Sequence, residues 1–233
     1  MNRNILVIGG NSGVGLELIK TLAGDGDSVT AAARDDREIK SVSGVTFQPF
    51  DAADRNASLE IPESLDGLVY CPGTIQLKPF HRLSDEDFDR EMQINFFGAI
   101  NVIRQALPAL KRSEAASIVL FSTVAVDTGL PFHAGIASAK GALEGLARTL
   151  AAELSPQIRV NCLALSLTDT PLASSLLSTE EKRKASSDRH PLKRVGCPAE
   201  VAKATRFLLG SDSGFMTGQS MKIDGGISTL KLL

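Results

Sequence analysis

Ile5-Leu6-Val7-Ile8-Gly9-Gly10-Asn11-Ser12-Gly13-Val14-Gly15 is an apolar run of strand length that breaks into a glycine-rich turn and resumes with helical spacing. Glycines at 9, 13 and 15 let a backbone turn sharply and approach a pyrophosphate, and the unpaired N–H groups of the following first helical turn favour an anion. Asn11, Ser12 and Val14 complete that cradle. The spacing Gly-x-x-x-Gly-x-Gly differs from the commoner dinucleotide pattern Gly-x-Gly-x-x-Gly. These eleven residues also fit a strand-to-helix turn that binds nothing, so the rest of the chain has to decide.

The 233 residues suffice for one large α/β domain, and no repeat, low-complexity tract or flexible linker divides them. A single domain over 1–233 is expected. A formal net charge of −2 gives no basic excess, so neither nucleic acid nor an anionic membrane is indicated as a partner, and a small-molecule substrate is the default. Cys71, Cys162 and Cys197 are scattered, odd in number and without Cys-x-x-Cys spacing, which suggests a reducing, cytoplasmic setting and no metal site. No window has the length or apolarity of a signal peptide or membrane span.

Apolar runs then alternate with helical patterns. After a helix ending at Gly24-Asp25-Gly26-Asp27, residues 28–33 read as a second strand closing on Arg34. In a dinucleotide fold the residues there meet the adenosine ribose; a carboxylate suits a 2′-hydroxyl, an arginine a 2′-phosphate, so Arg34 favours NADP over NAD. Asp35 and Asp36 pull against that reading, and a solvated loop arginine remains its alternative. Residues 45–50 form a third strand ending in Asp51, placed to accept from an adenine amino group or to cap its own turn. Residues 68–71 form a fourth. Ser84 with Asp87 resembles a capping box, and a further helix is expected over 96–108 with Asn95 at the junction.

Residues 117–122 make a fifth strand, with Thr123 just past its carboxyl end, where ligands of parallel sheets bind. The helix expected over 134–154 is apolar around most of its circumference, which predicts burial, and its small residues at 135, 137, 139, 141 and 142 suit a subunit interface. Lys140 within it needs a partner, such as a bound ribose or phosphate, or a path to solvent. A sixth strand spans 159–165. The polar and apolar connection 166–196, with short helices at 171–177 and 180–187, has the length of a substrate lid. Pro198 opens a helix to Leu209, residues 218–223 form a seventh strand, and the tail Leu230-Lys231-Leu232-Leu233 is apolar enough to need cover.

Taken together, these residues resemble the short-chain dehydrogenase/reductase family from Gly9 to Gly226. Gly9, Gly13 and Gly15 match its cradle, Asp51 its adenine-side aspartate, Asn95 its junction asparagine and Thr123 its active-site serine position. Lys140 matches the lysine of Tyr-x-x-x-Lys, Arg159-Val160-Asn161 the strand before the lid, and Met216-Thr217-Gly218-Gln219 through Asp224-Gly225-Gly226 the C-terminal signature. The resemblance implies a doubly wound, Rossmann-like parallel sheet of about seven strands with helices on both faces, a nicotinamide dinucleotide cofactor, and a homodimer or homotetramer. It extends the cofactor-contacting set to Ala52, Gly73, Thr168 and Thr170.

The departures fall in the catalytic half. Ile136 occupies the position of the catalytic tyrosine, and the one tyrosine in the chain is Tyr70. Ile8 precedes Gly9 where threonine is usual, Tyr70-Cys71-Pro72-Gly73 replaces Asn-Asn-Ala-Gly, and Leu165-Ser166 replaces Pro-Gly. Losing a positioned acid typically removes a factor of about 10² to 10⁴, while cofactor positioning survives. A water held by Thr123, Asn95 and Lys140 is one substitute proton source; His133, three residues before Ile136, is another. The expected activity is therefore NADP(H)-dependent reduction of a carbonyl or related small molecule without the tyrosine acid. The alternative is a nucleotide-binding pseudoenzyme or regulatory subunit.

Overall fold

Seven short runs rich in Val, Ile, Leu and Ala are extended side by side in the computed structural model, which describes residues 3–231. They are β1 (Asn4–Ile8), β2 (Ser28–Ala33), β3 (Val45–Pro49), β4 (Gly67–Tyr70), β5 (Ala116–Thr123), β6 (Ile158–Leu165) and β7 (Ser220–Ile223). All pairs are parallel, in the order β3-β2-β1-β4-β5-β6-β7. Strands of a parallel sheet are covered on both faces, which explains runs such as Leu68-Val69-Tyr70 and Ile118-Val119-Leu120, buried without alternation. The expected fold class is the one observed.

One face is covered by α1 (Gly13–Gly24) and α6 (Pro198–Leu209), whose Leu18, Ile19, Leu22, Val201 and Leu208 close over Val7, Val69 and Val119. The other is covered by α3 (Gly98–Leu110) and α4 (Ala134–Leu154), whose Val102, Ala106, Leu143 and Ala147 close over Leu6, Leu68 and Leu120. Full burial of such a side chain is worth about 1.5–3 kcal/mol, and the two faces together hold the sheet. The chain leaves β3 at one edge and crosses to β4 on the far side of β1, so the carboxyl ends of β1 and β4 flank a topological switch point.

Three expectations change. The helix placed at 96–108 does not start there: α2 (Asp85–Met92), opened by the Ser84–Asp87 capping box, runs through a π-helical turn, Gln93–Phe97, directly into α3. A π turn frees a carbonyl from the regular ladder, and the buried Tyr70 hydroxyl donates to the Ile94 carbonyl at 2.6 Å. Helix α4 is not buried around its circumference; one stripe is, including Ile136, Ala139, Lys140, Leu143, Glu144 and Ala147, while Ala137, Gly141, Ala142 and Gly145 are not uniformly covered. Alanine and glycine rich segments look apolar all round because small residues carry little polarity on either face. In the tail, Leu230 is exposed and the expectation for Leu232 and Leu233 lies outside the described residues.

Residues 166–196 leave the sheet through a narrow neck. Thr168 bridges Gly196, the Asp169 N–H donates to the Gly196 carbonyl at 2.9 Å and the Gly196 N–H to the Leu167 carbonyl at 2.9 Å. Beyond it lie a 3₁₀ segment, Pro171–Leu177, and α5 (Glu180–Arg189), tied back to the neck by the Arg183–Asp169 ion pair at 2.6 Å. Among the described residues no helix is long and apolar enough to cross a membrane.

Candidate active site

The glycine cradle forms as its spacing requires. Gly9 (φ 80°) and Gly13 (φ 53°) adopt left-handed backbone that a side chain disfavours. Gly15 is required by space: a Cβ there would lie 2.1 Å from the Gly9 carbonyl oxygen. Ser12 is the N-cap of α1, yet its side chain makes no capping bond, and the first turn of α1 holds no acidic residue, so hydroxyl and helix N–H groups stay open to an anion. Thr170, at the base of the 166–196 excursion, packs its methyl against Gly13, where a Cβ would sit 3.2 Å from it. Its neighbour Thr168 spends its hydroxyl on the Ser166 carbonyl at 3.1 Å.

At the end of β2 the three charges sort themselves. Asp35 is engaged by Arg37 and accepts from Asn11 Nδ2 at 3.3 Å; Asp36 pairs with Lys40 at 3.0 Å. Arg34 is exposed and has no hydrogen bond or ion pair among the described residues. Asp51 follows the turn-capping alternative, accepting from the Ala53 N–H at 2.9 Å through one oxygen, with Ala52 buried beside it.

Across the switch point, the π turn swings Asn95 out of helical register and into the core, where it is fully buried. Its Nδ2 donates to Thr74 Oγ1 at 2.8 Å, to the Glu91 carbonyl at 2.9 Å and to Glu91 Oε2 at 3.0 Å. Its Oδ1 has no partner, the sole buried side-chain polar atom so left among the described residues. A Cβ on Gly73 would stand 3.3 Å from that oxygen and 3.7 Å from Lys140 Nζ, so Asn95 Oδ1 and the lysine both border the space at Gly73. Lys140 is largely buried, 6 % exposed, and its side chain forms no hydrogen bond or ion pair among the described residues. Burial lowers its pKa to about 8, against opposing pulls from Cys162, Glu91 and Cys71. Burial also pushes the Cys71 and Cys162 thiols up to about 12.

Thr123 sits at the carboxyl end of β5, where its Oγ1 accepts from the Ala125 N–H at 3.3 Å, leaving the hydroxyl hydrogen to donate elsewhere. His133 is the N-cap of α4, and its Nδ1 is 2.7 Å from the Pro131 carbonyl; the structure gives it no hydrogen bond to Asn95, Thr123 or Lys140. Ile136 is buried in the first turn of α4. Tyr70 lies beneath the π turn, outside this cluster. Two residues absent from the sequence expectations, Thr74 and Glu91, belong to it. Glu91, 2 % exposed, hydrogen-bonds Thr74 through Oε2, and its Cγ packs on Gly135, the neighbour of Ile136. Desolvation raises the Glu91 carboxyl above the usual carboxylate range, against its bonds from Thr74 and Asn95 and the nearby charges of Lys140 and Arg90. The one sequence signal for Glu91 is a helical turn, since it lies at i−4 from Asn95.

Comparison with known proteins accords with this geometry. The profile of a family described as enoyl-(acyl carrier protein) reductase matches residues 9–228. A tropinone reductase homolog of Arabidopsis thaliana is 35 % identical over 246 residues, spanning 97 % of this chain and 92 % of its own. The 3-oxoacyl-(acyl-carrier-protein) reductase MabA of Mycobacterium tuberculosis is 31 % identical over 232 residues, spanning 97 % and 93 %. The crystal structure of a short-chain dehydrogenase/reductase from Brucella melitensis matches with a TM-score of 0.87 at 28 % identity, over 97 % of this chain and 96 % of that one. With its parallel seven-stranded sheet, its glycine cradle, and Asn95 and Lys140 both bordering the space at Gly73, the chain belongs to the short-chain dehydrogenase/reductase family.

Proposed function

We propose that this protein is an NADP(H)-dependent oxidoreductase that reduces a carbonyl or related small molecule without a tyrosine acid. The observation that carries the reading is that Lys140 Nζ and the unpartnered Asn95 Oδ1 both border the space at Gly73, and neither has a hydrogen bond there among the described residues. A largely buried cation and a buried acceptor left open around one space are costly unless a ligand with hydroxyls completes them, and a nicotinamide ribose is such a ligand. The residues fit the dinucleotide along its length: cradle N–H groups and Ser12 for the phosphates, Arg34 for a 2′-phosphate, Asp51 and Ala52 at the adenine end, Thr168 and Thr170 under the excursion. The relatives named above are reductases or their homologs, which tells against the pseudoenzyme alternative.

When bound, the reduced nicotinamide supplies hydride to the carbon being reduced. The chain supplies the rest. Thr123 donates its hydroxyl hydrogen to the substrate oxygen, polarising it. Lys140 orients the ribose and, its pKa lowered by burial to about 8, stays largely charged at neutral pH. Ile136 contributes a dry wall and no proton, which lowers turnover by a factor of about 10² to 10⁴ relative to a site with a positioned acid. The domain is single, with 166–196 as its substrate lid. The small-residue strip Ala137, Gly141, Ala142 and Gly145 on α4 receives a second copy in a homodimer or homotetramer, and the three free cysteines suit a reducing cytoplasm.

The test is a fluorescence titration with NADPH followed by turnover on a panel of ketones, imines and enones, with His133→Ala alongside. Binding with slow turnover that survives His133→Ala supports the reading. Binding without turnover on any substrate returns the pseudoenzyme, and no binding removes both.

A further inference from the structure

The connection 166–196 carries one side-chain cluster that the reading above leaves idle. Ser166 Oγ lies 2.8 Å from His190 Nε2, and His190 Nδ1 lies 2.8 Å from the carbonyl oxygen of Ser186 on α5. We propose that Ser166 and His190 form a second reactive site, a serine nucleophile with its general base, which cleaves small carboxylic esters through an acyl-serine. The proposal is independent of the oxidoreductase reading, since no part of it uses the dinucleotide.

The hydrogens decide the roles. A carbonyl oxygen only accepts, so Nδ1 carries the ring hydrogen of neutral His190 and Nε2 is left as the acceptor. Ser166 Oγ is therefore the donor of the pair, its hydrogen directed at the nitrogen that removes it. Hydroxyl, base and a third group that orients the base make up an activated nucleophile. Packing fixes the ring as well: His190 is 3 % exposed, and a Cβ on Gly225 would stand 3.4 Å from its Cδ2. Ser166 is only half-buried, so of the two residues the serine is the one that faces outward.

Its placement suits a ligand. Ser166 follows β6 directly, one residue past Leu165, which pairs with Thr123 across the sheet, and ligands of parallel sheets bind at such carboxyl ends. The Ser166 N–H is spent on the Ile223 carbonyl at 3.3 Å, whereas those of Leu167 and Thr168 donate to no backbone carbonyl among the described residues. These two N–H groups, next in the chain after the nucleophile, are the donors available to a developing oxyanion. Where the family pattern has Pro-Gly the chain has Leu165-Ser166, so the hydroxyl is an addition to that pattern.

The step balances. Oγ attacks the ester carbonyl carbon as its proton passes to Nε2; the bond to the alcohol oxygen then breaks, and the departing alkoxide takes that proton. Water next gives a proton to Nε2 and attacks the acyl carbon, Oγ leaves and recovers the proton, and the acid is released. Nothing is oxidised or reduced.

The experiment traps the intermediate. The full chain without dinucleotide is treated with p-nitrophenyl acetate and, separately, with a fluorophosphonate, and the modified peptide is identified by mass spectrometry. The expected result is an adduct on Ser166, with ester cleavage that is lost in Ser166→Ala and falls by about 10²-fold or more in His190→Gln. A native chain without a Ser166 adduct, or with one only on the exposed Cys197, overturns the proposal and leaves the pair a structural tie. A labelling rate unchanged in His190→Gln overturns it too. Should His190→Gln fail to fold, the Ser166 adduct in the native chain and its loss in Ser166→Ala decide the matter.

Discussion

Arg37 grips Asp35 through two parallel hydrogen bonds, Nε to Oδ1 at 3.2 Å and Nη2 to Oδ2 at 3.1 Å. That grip releases Arg34, three residues upstream, from the carboxylate that the sequence places beside it. The two acidic neighbours that pull against a 2′-phosphate are thus satisfied by Arg37 and Lys40. Hydrogen bonds to a charged group are worth about 1.5–3 kcal/mol, so Arg34→Ala is expected to raise the NADPH dissociation constant about tenfold to a hundredfold. NADH binding is expected to change by less than about threefold, since it lacks the 2′-phosphate. Parallel titrations with the two dinucleotides check it, and equal losses for both would contradict the assignment.

Gly15→Ala is expected to damage the cradle without touching the opposite half of the site. The new methyl would start 2.1 Å from the Gly9 carbonyl, and relieving it moves backbone at the turn itself. Overpacking of this kind costs about 1–3 kcal/mol. Urea denaturation should report that loss, and NADPH affinity should fall by at least about tenfold.

Lys140→Met is expected to stabilise the chain at neutral pH. An unfolded lysine holds its proton to a pH of about 10.4, the folded one only to about 8. Between those values the unfolded chain binds the extra proton, so the stability contributed by this group rises with pH and is least below 8. The variant should therefore exceed the native protein by up to about 3 kcal/mol at pH 7, and the gap should close towards pH 10. Chemical denaturation across the range from pH 7 to pH 10 measures it.

Tyr70→Phe removes the donor that satisfies the Ile94 carbonyl in the π turn. A buried carbonyl left unpaired costs about 1–3 kcal/mol. The expected result is a loss of that size in unfolding free energy, with amide exchange in residues 93–97 faster than in the native protein.

Much of the fold is legible in the sequence because parallel strands announce themselves as unbroken apolar runs, and the cradle is legible because few backbones besides a phosphate-binding turn need glycine at 9, 13 and 15 together. The alternation of such runs with helices points to the parallel, doubly wound sheet that the order β3-β2-β1-β4-β5-β6-β7 realises. The join at Asn95 escapes a sequence reading since a π turn has no composition of its own; it depends on Tyr70 arriving from another strand. Glu91 is hidden for a different reason. It ends a stretch, Asp85-Glu86-Asp87-Phe88-Asp89-Arg90-Glu91, in which acidic residues read as a solvated helix face, and only the packing of α2 on α4 turns this one inward.

The neck formed by Thr168 and Gly196 means that everything from Pro171 to Arg189 hangs from the sheet like a detachable tool on a fixed handle. Insertions, deletions or wholesale exchange there leave the strand registers alone, so that stretch can be rewritten without unmaking the sheet that carries it.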